Sequence, residues 1–166
     1  MATALPQEGG CLCGALRYTV ASEPVHTIIC HCTFCQKITG SAYLVEPIFR
    51  RKDVVFSGEF STFTHSSDYS SEAISYRHCP KCSTKVAMDI GRFEKVWGIF
   101  GGTFDDPNWF PREGDAVHHM FTRSAQRGTV LPAGVRLHET HAFAIEGDTS
   151  GCRILDAPLL IGEREI

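Results

Sequence analysis

A mainly β single domain held together by bound metal is what the sequence predicts, and three observations predict it. Short β-rich or alternating segments recur along the chain between Gly, Pro, Ser and Asp clusters. Seven of the eight cysteines fall into three tight groups. At 166 residues and 18.3 kDa the chain is about one domain long, enough for one modest core.

The β-rich segments are 14–20, 42–49, 61–64, 73–77, 85–90, 96–100 and 118–121. The single local helix candidate is a turn or two over 34–39, with Gly40 as a natural stop. The polar stretch Ser66 to Glu72 reads as a hairpin tip or surface loop. Residues 1–8 are read as an N-terminal extension, 9–146 as the domain, and 147–166 as a tail whose Leu159-Leu160-Ile161 docks on the body or on another subunit. A homo-oligomer is one arrangement that such a tail would serve.

Composition narrows the function. With 21% charged and 43% hydrophobic residues the chain is ordered rather than disordered or coiled-coil. A net charge of -3 and a pI near 6.2 give no broad basic face for a phosphate backbone, so nucleic acid is not expected as a partner. No basic leader and no run of about 18 apolar residues is visible, so neither export nor a membrane is expected and the location is read as cytoplasmic. Thiols stay reduced there, and clustered cysteines then serve metal more often than disulfides.

The groups are Cys11-Leu-Cys13, Cys30-His-Cys32-Thr-Phe-Cys35 and Cys79-Pro-Lys-Cys82, with Cys152 alone in a polar segment as a free thiol. Residues one or three positions apart in a tight turn aim both sulfurs at one point, which suits a tetrahedral zinc ion. Seven thiolates exceed one ion and fall one short of two closed four-sulfur sites. The arithmetic therefore suggests a closed site and a three-sulfur site with a free position. Spacing alone permits two partitions: Cys32, Cys35, Cys79 and Cys82 with Cys11, Cys13 and Cys30 left over, or Cys11, Cys13, Cys79 and Cys82 with Cys30, Cys32 and Cys35 as a local trio.

These segments carry a resemblance. The runs Gly10-Cys-Leu-Cys-Gly-Ala-Leu-Arg-Tyr18, Cys30-His-Cys-Thr-Phe-Cys-Gln-Lys-Ile-Thr-Gly-Ser-Ala-Tyr43, Cys79-Pro-Lys-Cys-Ser-Thr84 and Gly101-Gly-Thr-Phe-Asp-Asp-Pro107 resemble the glutathione-dependent formaldehyde-activating enzyme family, also called the centromere protein V domain family. The match runs from about Gly9 to about His119. The resemblance implies the second partition: a structural zinc on Cys11, Cys13, Cys79 and Cys82, a catalytic zinc on Cys30, Cys32 and Cys35, two zinc ions per chain. It also implies a zinc-pinned β-tent fold like that of the Rab-exchange chaperones.

The chemistry of an open three-thiolate zinc agrees with that implication. Three thiolates leave the centre with a net negative charge and make it a weaker Lewis acid than a three-histidine site, which disfavours hydrolysis. A soft thiol is a good fourth ligand, held as thiolate beside an electrophile. The resemblance implies a carbon–sulfur lyase that adds glutathione to formaldehyde, giving S-hydroxymethylglutathione. A related small thiol, aldehyde or imine-type substrate is the wider class.

Thr39, Gly40 and Ser41 follow the trio as candidate cavity lining or as a helix-ending turn. His31 and His78 flank cysteines and point the other way along an extended backbone, towards solvent or behind the ligands. His118 and His119 are candidate acid/base or substrate-binding groups, with a buried structural role as the alternative. Arg50, Arg51, Lys52, Arg77, Arg123 and Arg127 are candidates for binding glutathione carboxylates, or simply solvated. Trp97, Phe100, Phe104, Trp109 and Phe110 are read as core, and Asp105 to Asn108 as a turn. The competing function is a non-catalytic zinc module that binds protein or nucleic acid, which would need only the four-sulfur clasp.

Overall fold

The computed structural model describes residues 4–66, 72–141 and 152–162. Its strands are β1 (Gln7–Gly10), β2 (Arg17–Val20), β3 (His26–Cys30), β4 (Leu44–Arg50), β5 (Val54–Ser57), β6 (Ser61–Ser66), β7 (Ala73–His78), β8 (Lys85–Ile90), β9 (Val96–Ile99), β10 (Val117–Met120), β11 (Val130–Leu131), β12 (Arg136–Leu137), β13 (Arg153–Ile154) and β14 (Leu159–Leu160). One α-helix, α1 (Thr33–Thr39), accompanies several single 3-10 turns. The fold is mainly β. The two-residue strands are fixed by tertiary pairing rather than by local propensity. Residues 67–71 of the Ser66 to Glu72 stretch, residues 142–146 of the domain, and residues 147–151 and 163–166 of the tail lie outside the described residues.

The chain divides into two interleaved compact units, Met1–Val25 with Glu46–Phe110 and His26–Val45 with Pro111–Ile166. In the first, β2 sits between β1 and β5 in an antiparallel sheet, its residues alternating half-buried and buried so that Tyr18 and Val20 face inward. β4, β9, β8, β7 and β6 pair in that order, all antiparallel. The core of this unit is aromatic. Phe104 receives the edge of Tyr18 at 5.2 Å and of Trp109 at 5.3 Å, and Trp109 stacks on Phe49 at 6.0 Å. Trp97, Phe100 and Phe110 are buried as well. Asp105 pairs with Arg17, and the Asp106 carboxylate accepts from the Asn108 amide at 2.9 Å, which makes the Asp105 to Asn108 segment a turn.

Two of the candidate carboxylate-binding arginines have other work. The guanidiniums of Arg51 and Arg77 lie 4.1 and 4.2 Å from the Trp97 ring centroid, and both pair with Asp89.

Gly98 on β9 shows how closely this unit is packed. A Cβ there would sit 1.6 Å from Oε1 of the buried Glu46. Gly98→Ala is expected to destabilise the protein by about 1–3 kcal/mol or more, because an added methyl in a filled core displaces neighbours. Denaturant unfolding would measure it, and an unchanged midpoint would contradict this packing.

In the second unit β10 runs parallel to both β3 and β12, and β13 adds antiparallel to β12. β11 and β14 form a separate antiparallel pair. Ile29, Val117, Leu131, Val135, Leu137 and Leu155 make the core, with Val45 and Ile161 packed against it. Through Leu155, Ile161 and β14 the tail is therefore built into this unit.

Candidate metal centres and their surroundings

Two cysteine sets form, one in each unit. The sulfurs of Cys11, Cys13, Cys79 and Cys82 lie within 4.8 Å of one another, and so do those of Cys30, Cys32 and Cys35. This grouping is the second of the two partitions that spacing permits. All eight cysteines, the half-buried Cys152 among them, are free of disulfides.

The four-sulfur set is built from two similar turns. At the first, Gly14 in the left-handed region (φ 75°) lets its amide donate to the Cys11 carbonyl at 3.0 Å, while the Cys11 amide donates to Leu16 at 2.9 Å. The Leu16 amide reaches back to the Cys11 sulfur at 3.2 Å. At the second, Ser83 takes the left-handed position (φ 60°), its amide donating to the Cys79 carbonyl at 2.9 Å, and the Cys79 amide donates to Thr84 at 3.0 Å. Each turn aims its two thiols at the other turn, and Cys13 and Cys79 approach to 3.7 Å across 66 residues of chain. The Thr84 hydroxyl lies 3.2 Å from the Cys82 sulfur, and its hydrogen bond pulls that thiol down to about 5.

The trio forms where a strand becomes a helix. Cys30 ends β3; Cys32 is the N-cap of α1, with extended backbone, its sulfur accepting the Cys35 amide at 3.3 Å; Cys35 follows in the first turn. Cys30 and Cys35 are buried, Cys32 half-buried. Hydrogen bonding from Cys30, then Cys35, draws the Cys32 thiol down to about 3, whereas Cys30 and Cys35 are pushed well above their usual value beside it. One negative charge is easily accommodated and further ones are resisted unless a cation arrives. Seven soft donors in two mutually facing sets fit thiophilic metal, of which zinc is one.

His31 is not solvent-facing: it is fully buried. The strand ends at Cys30, so alternation does not fix His31, and its ring lies inward in a T-shaped contact with Tyr43 at 5.3 Å and stacked with His119, with Nε2 3.0 Å from His119 Nδ1. His78, by contrast, is half-buried at the end of β7. Both ring pairs on β10 are buried, and successive residues point to opposite sides of the strand. His119 meets His31. His118 meets His138, stacked with 3.0 Å between Nδ1 and Nε2, and the edge of His26 at 4.9 Å. Thr39, Gly40 and Ser41 form the end of the helix: the Thr39 hydroxyl donates to the Cys35 carbonyl at 2.7 Å, and Gly40 is a left-handed C-cap at φ 64°. A cleft of about 420 Å³ follows just after them, lined by Ala42, Tyr43 and residues 126–130.

Burial, and then the facing His26 and His138, hold His118 at about 4, below the usual 6.5. Unfolded His118 takes its proton as the pH falls past 6.5, while the folded residue resists until about 4. The stability it contributes is therefore complete above about 6.5 and lost between 6.5 and 4, on the order of 1–3 kcal/mol. His118→Asn, which keeps a donor near the Nδ1 position, should lose less stability than wild type between pH 7 and 4.5 in denaturant titrations. Equal losses would contradict the assignment.

The chain matches the family model described as glutathione-dependent formaldehyde-activating enzyme over residues 6–124, a span that contains both cysteine sets. A mainly β chain with two thiol sets that could hold metal is of that class. The chain belongs to the glutathione-dependent formaldehyde-activating enzyme family. No curated protein gives a significant match. Among solved structures, a Rhodobacter sphaeroides protein determined as a structural-genomics target is similar at 14% identity and a TM-score of 0.47, over 59% of this chain and 87% of that one. Among the described residues no helix is long and apolar enough to cross a membrane.

Proposed function

We propose that this chain is a zinc-dependent carbon–sulfur lyase that joins glutathione and formaldehyde as S-hydroxymethylglutathione and cleaves the same adduct in reverse, or acts on a related thiol–aldehyde or imine-type substrate. The observation that carries the reading is the trio of Cys30, Cys32 and Cys35 standing apart from the four-thiol set. A tetrahedral ion held by three protein sulfurs keeps a fourth position for substrate, while one held by four does not. Cys11, Cys13, Cys79 and Cys82 would hold a structural ion, and the trio a reactive one.

When bound, zinc at the trio supplies a thiophilic centre that favours the thiolate form of an incoming thiol. The reaction is an addition without redox change: a carbon–sulfur bond forms, the carbonyl π bond breaks, and the thiol proton ends on the former carbonyl oxygen. The chain's own contribution is to orient and desolvate. The Cys32 N-cap and the buried Cys30 and Cys35 fix the sulfurs. The cleft at Ala42 and Tyr43 is the place we assign to the body of the substrate, with the Thr39 to Ser41 turn setting its rim. Of the two candidate histidines, His119 is the nearer to the trio and acts as a neutral hydrogen-bonding group. It bonds to His31 between two trio cysteines, and burial keeps it largely neutral, at about 4. A cytoplasmic location fits a protein that needs seven reduced thiols.

The test is turnover of glutathione with formaldehyde by zinc-loaded protein, followed by NMR of the hydroxymethyl adduct. Catalysed adduct exchange above the uncatalysed rate is expected. A rate equal to that of buffer, with a panel of small thiols and aldehydes equally inert, would overturn the reading.

A further inference from the structure

Gln36 belongs to neither cysteine set, yet its side chain is bonded at both ends. It follows Cys35 on α1. Its Nε2 donates to the His31 carbonyl at 2.6 Å and to the Ser124 carbonyl at 2.9 Å, and its Oε1 accepts from Gln126 Nε2 at 2.8 Å. Its backbone amide donates to the Cys32 carbonyl at 3.0 Å and its carbonyl accepts from Gly40 at 2.9 Å.

The His31 carbonyl belongs to the His31–Cys32 peptide, so its direction bears on how Cys32 enters α1 and where its sulfur aims relative to Cys30. Ser124 and Gln126 belong to the turn that continues through residues 126–130, the far wall of the 420 Å³ cleft. One primary amide therefore spans the cysteine loop and the cleft wall. Holding a glutamine rotamer this fully costs side-chain entropy, which three hydrogen bonds in a half-buried setting offset. Groups that orient a metal-bearing loop in this way alter metal affinity or activity by about 10–100-fold when removed.

We propose that Gln36 is a positioning residue: by donating to the His31 and Ser124 carbonyls it sets the ligating geometry of Cys30, Cys32 and Cys35 and locks that geometry to the wall of the adjoining cleft. Its metal-binding half stands on the trio alone, and its consequence for turnover rests on the function proposed above.

The two donated bonds make the inference testable by substitution. Leucine removes every bond; glutamate keeps an acceptor for Gln126 but loses both donors and faces two carbonyls with negative charge; arginine again offers donors to the two carbonyls, at the cost of the acceptor, a longer side chain and a positive charge. Protein produced with cobalt(II) in place of zinc reports each thiolate site by its absorption, and chelator competition on the folded, loaded protein gives an affinity for each. Gln36→Leu and Gln36→Glu are expected to lose about 10–100-fold in affinity at the trio with the four-thiol site unchanged, and Gln36→Arg to stay near wild type. Should the leucine variant fail to fold, the comparison of glutamate with arginine decides the matter. Wild-type cobalt affinity in the glutamate variant, or an arginine variant as weak as glutamate, would overturn the proposal. Absence of thiol–aldehyde turnover in wild type would count against the lyase reading and leave this cobalt comparison standing.

Discussion

Cys79→Ser is expected to unfold the protein under conditions where wild type is folded, with the largest loss of stability of any single substitution considered. Cys79 is fully buried, and its thiol meets Cys13 at 3.7 Å across 66 residues. Serine keeps the size and the backbone bonds to Thr84 and Ser83, so the substitution isolates the sulfur. Two effects are lost with it. The clasp no longer closes a long loop, whose closure entropy it supplies, and the free energy of structural metal binding, about 10–16 kcal/mol in small zinc domains, no longer opposes unfolding. That is as large as the whole stability of a typical domain, about 5–15 kcal/mol. Circular dichroism should show no cooperative melt, whereas Cys152→Ser, at a half-buried cysteine outside both sets, should melt like wild type. A Cys79→Ser protein melting within a few degrees of wild type would sink the structural role of the clasp.

The second large effect is opposite in kind. Cys32→Ser should fold, bind one metal fewer and lose turnover by about 100-fold or more, since it removes a ligand where removal of a mere supporting group already costs about 10–100-fold. Folding survives for a local reason. Cys32 caps α1 by accepting the Cys35 amide, and serine is among the preferred residues for that task. The trio also spans only six residues, so it closes no long loop. Thermal melts, metal content and adduct exchange on one preparation would read all three. Full activity in a one-metal Cys32→Ser protein would remove the trio from the reaction.

The residues differ in how much of this they disclose in sequence. The knuckle spacings were legible because the turns that aim Cys11 with Cys13, and Cys79 with Cys82, are local. Which pairs share an ion was not, because it depends on Cys13 meeting Cys79 in space; only the resemblance implied it. The helix was legible from Gly40 and the polar turn before it, and the structure begins it at Thr33. β1 was not: Gln-Glu-Gly-Gly has no strand propensity and pairs with β2 because Gly9 lets the Tyr18 hydroxyl and the Thr103 carbonyl come closer than any Cβ allows, 2.3 and 2.5 Å from where one would stand. β3 was hidden in the approach to a cysteine cluster, and the two-residue strands β11 to β14 exist only through their partners. For His31 the sequence leaves open a place in solvent or behind the ligands, and the buried place is taken because the strand ends at Cys30 and its alternation does not carry on to His31. Gln36 had no signal at all in the sequence, since its partners Ser124 and Gln126 lie about 90 residues away.

Elemental analysis of wild type, Cys32→Ser and Cys79→Ser, with glutathione–formaldehyde exchange followed on the same samples, tests the central claim most directly. The account predicts two zinc ions and catalysis in wild type, one zinc and a folded but inactive protein for Cys32→Ser, and an unfolded protein for Cys79→Ser. A single zinc in wild type, or a Cys32→Ser protein that keeps both ions, would contradict two independent thiolate sites with separate structural and chemical roles.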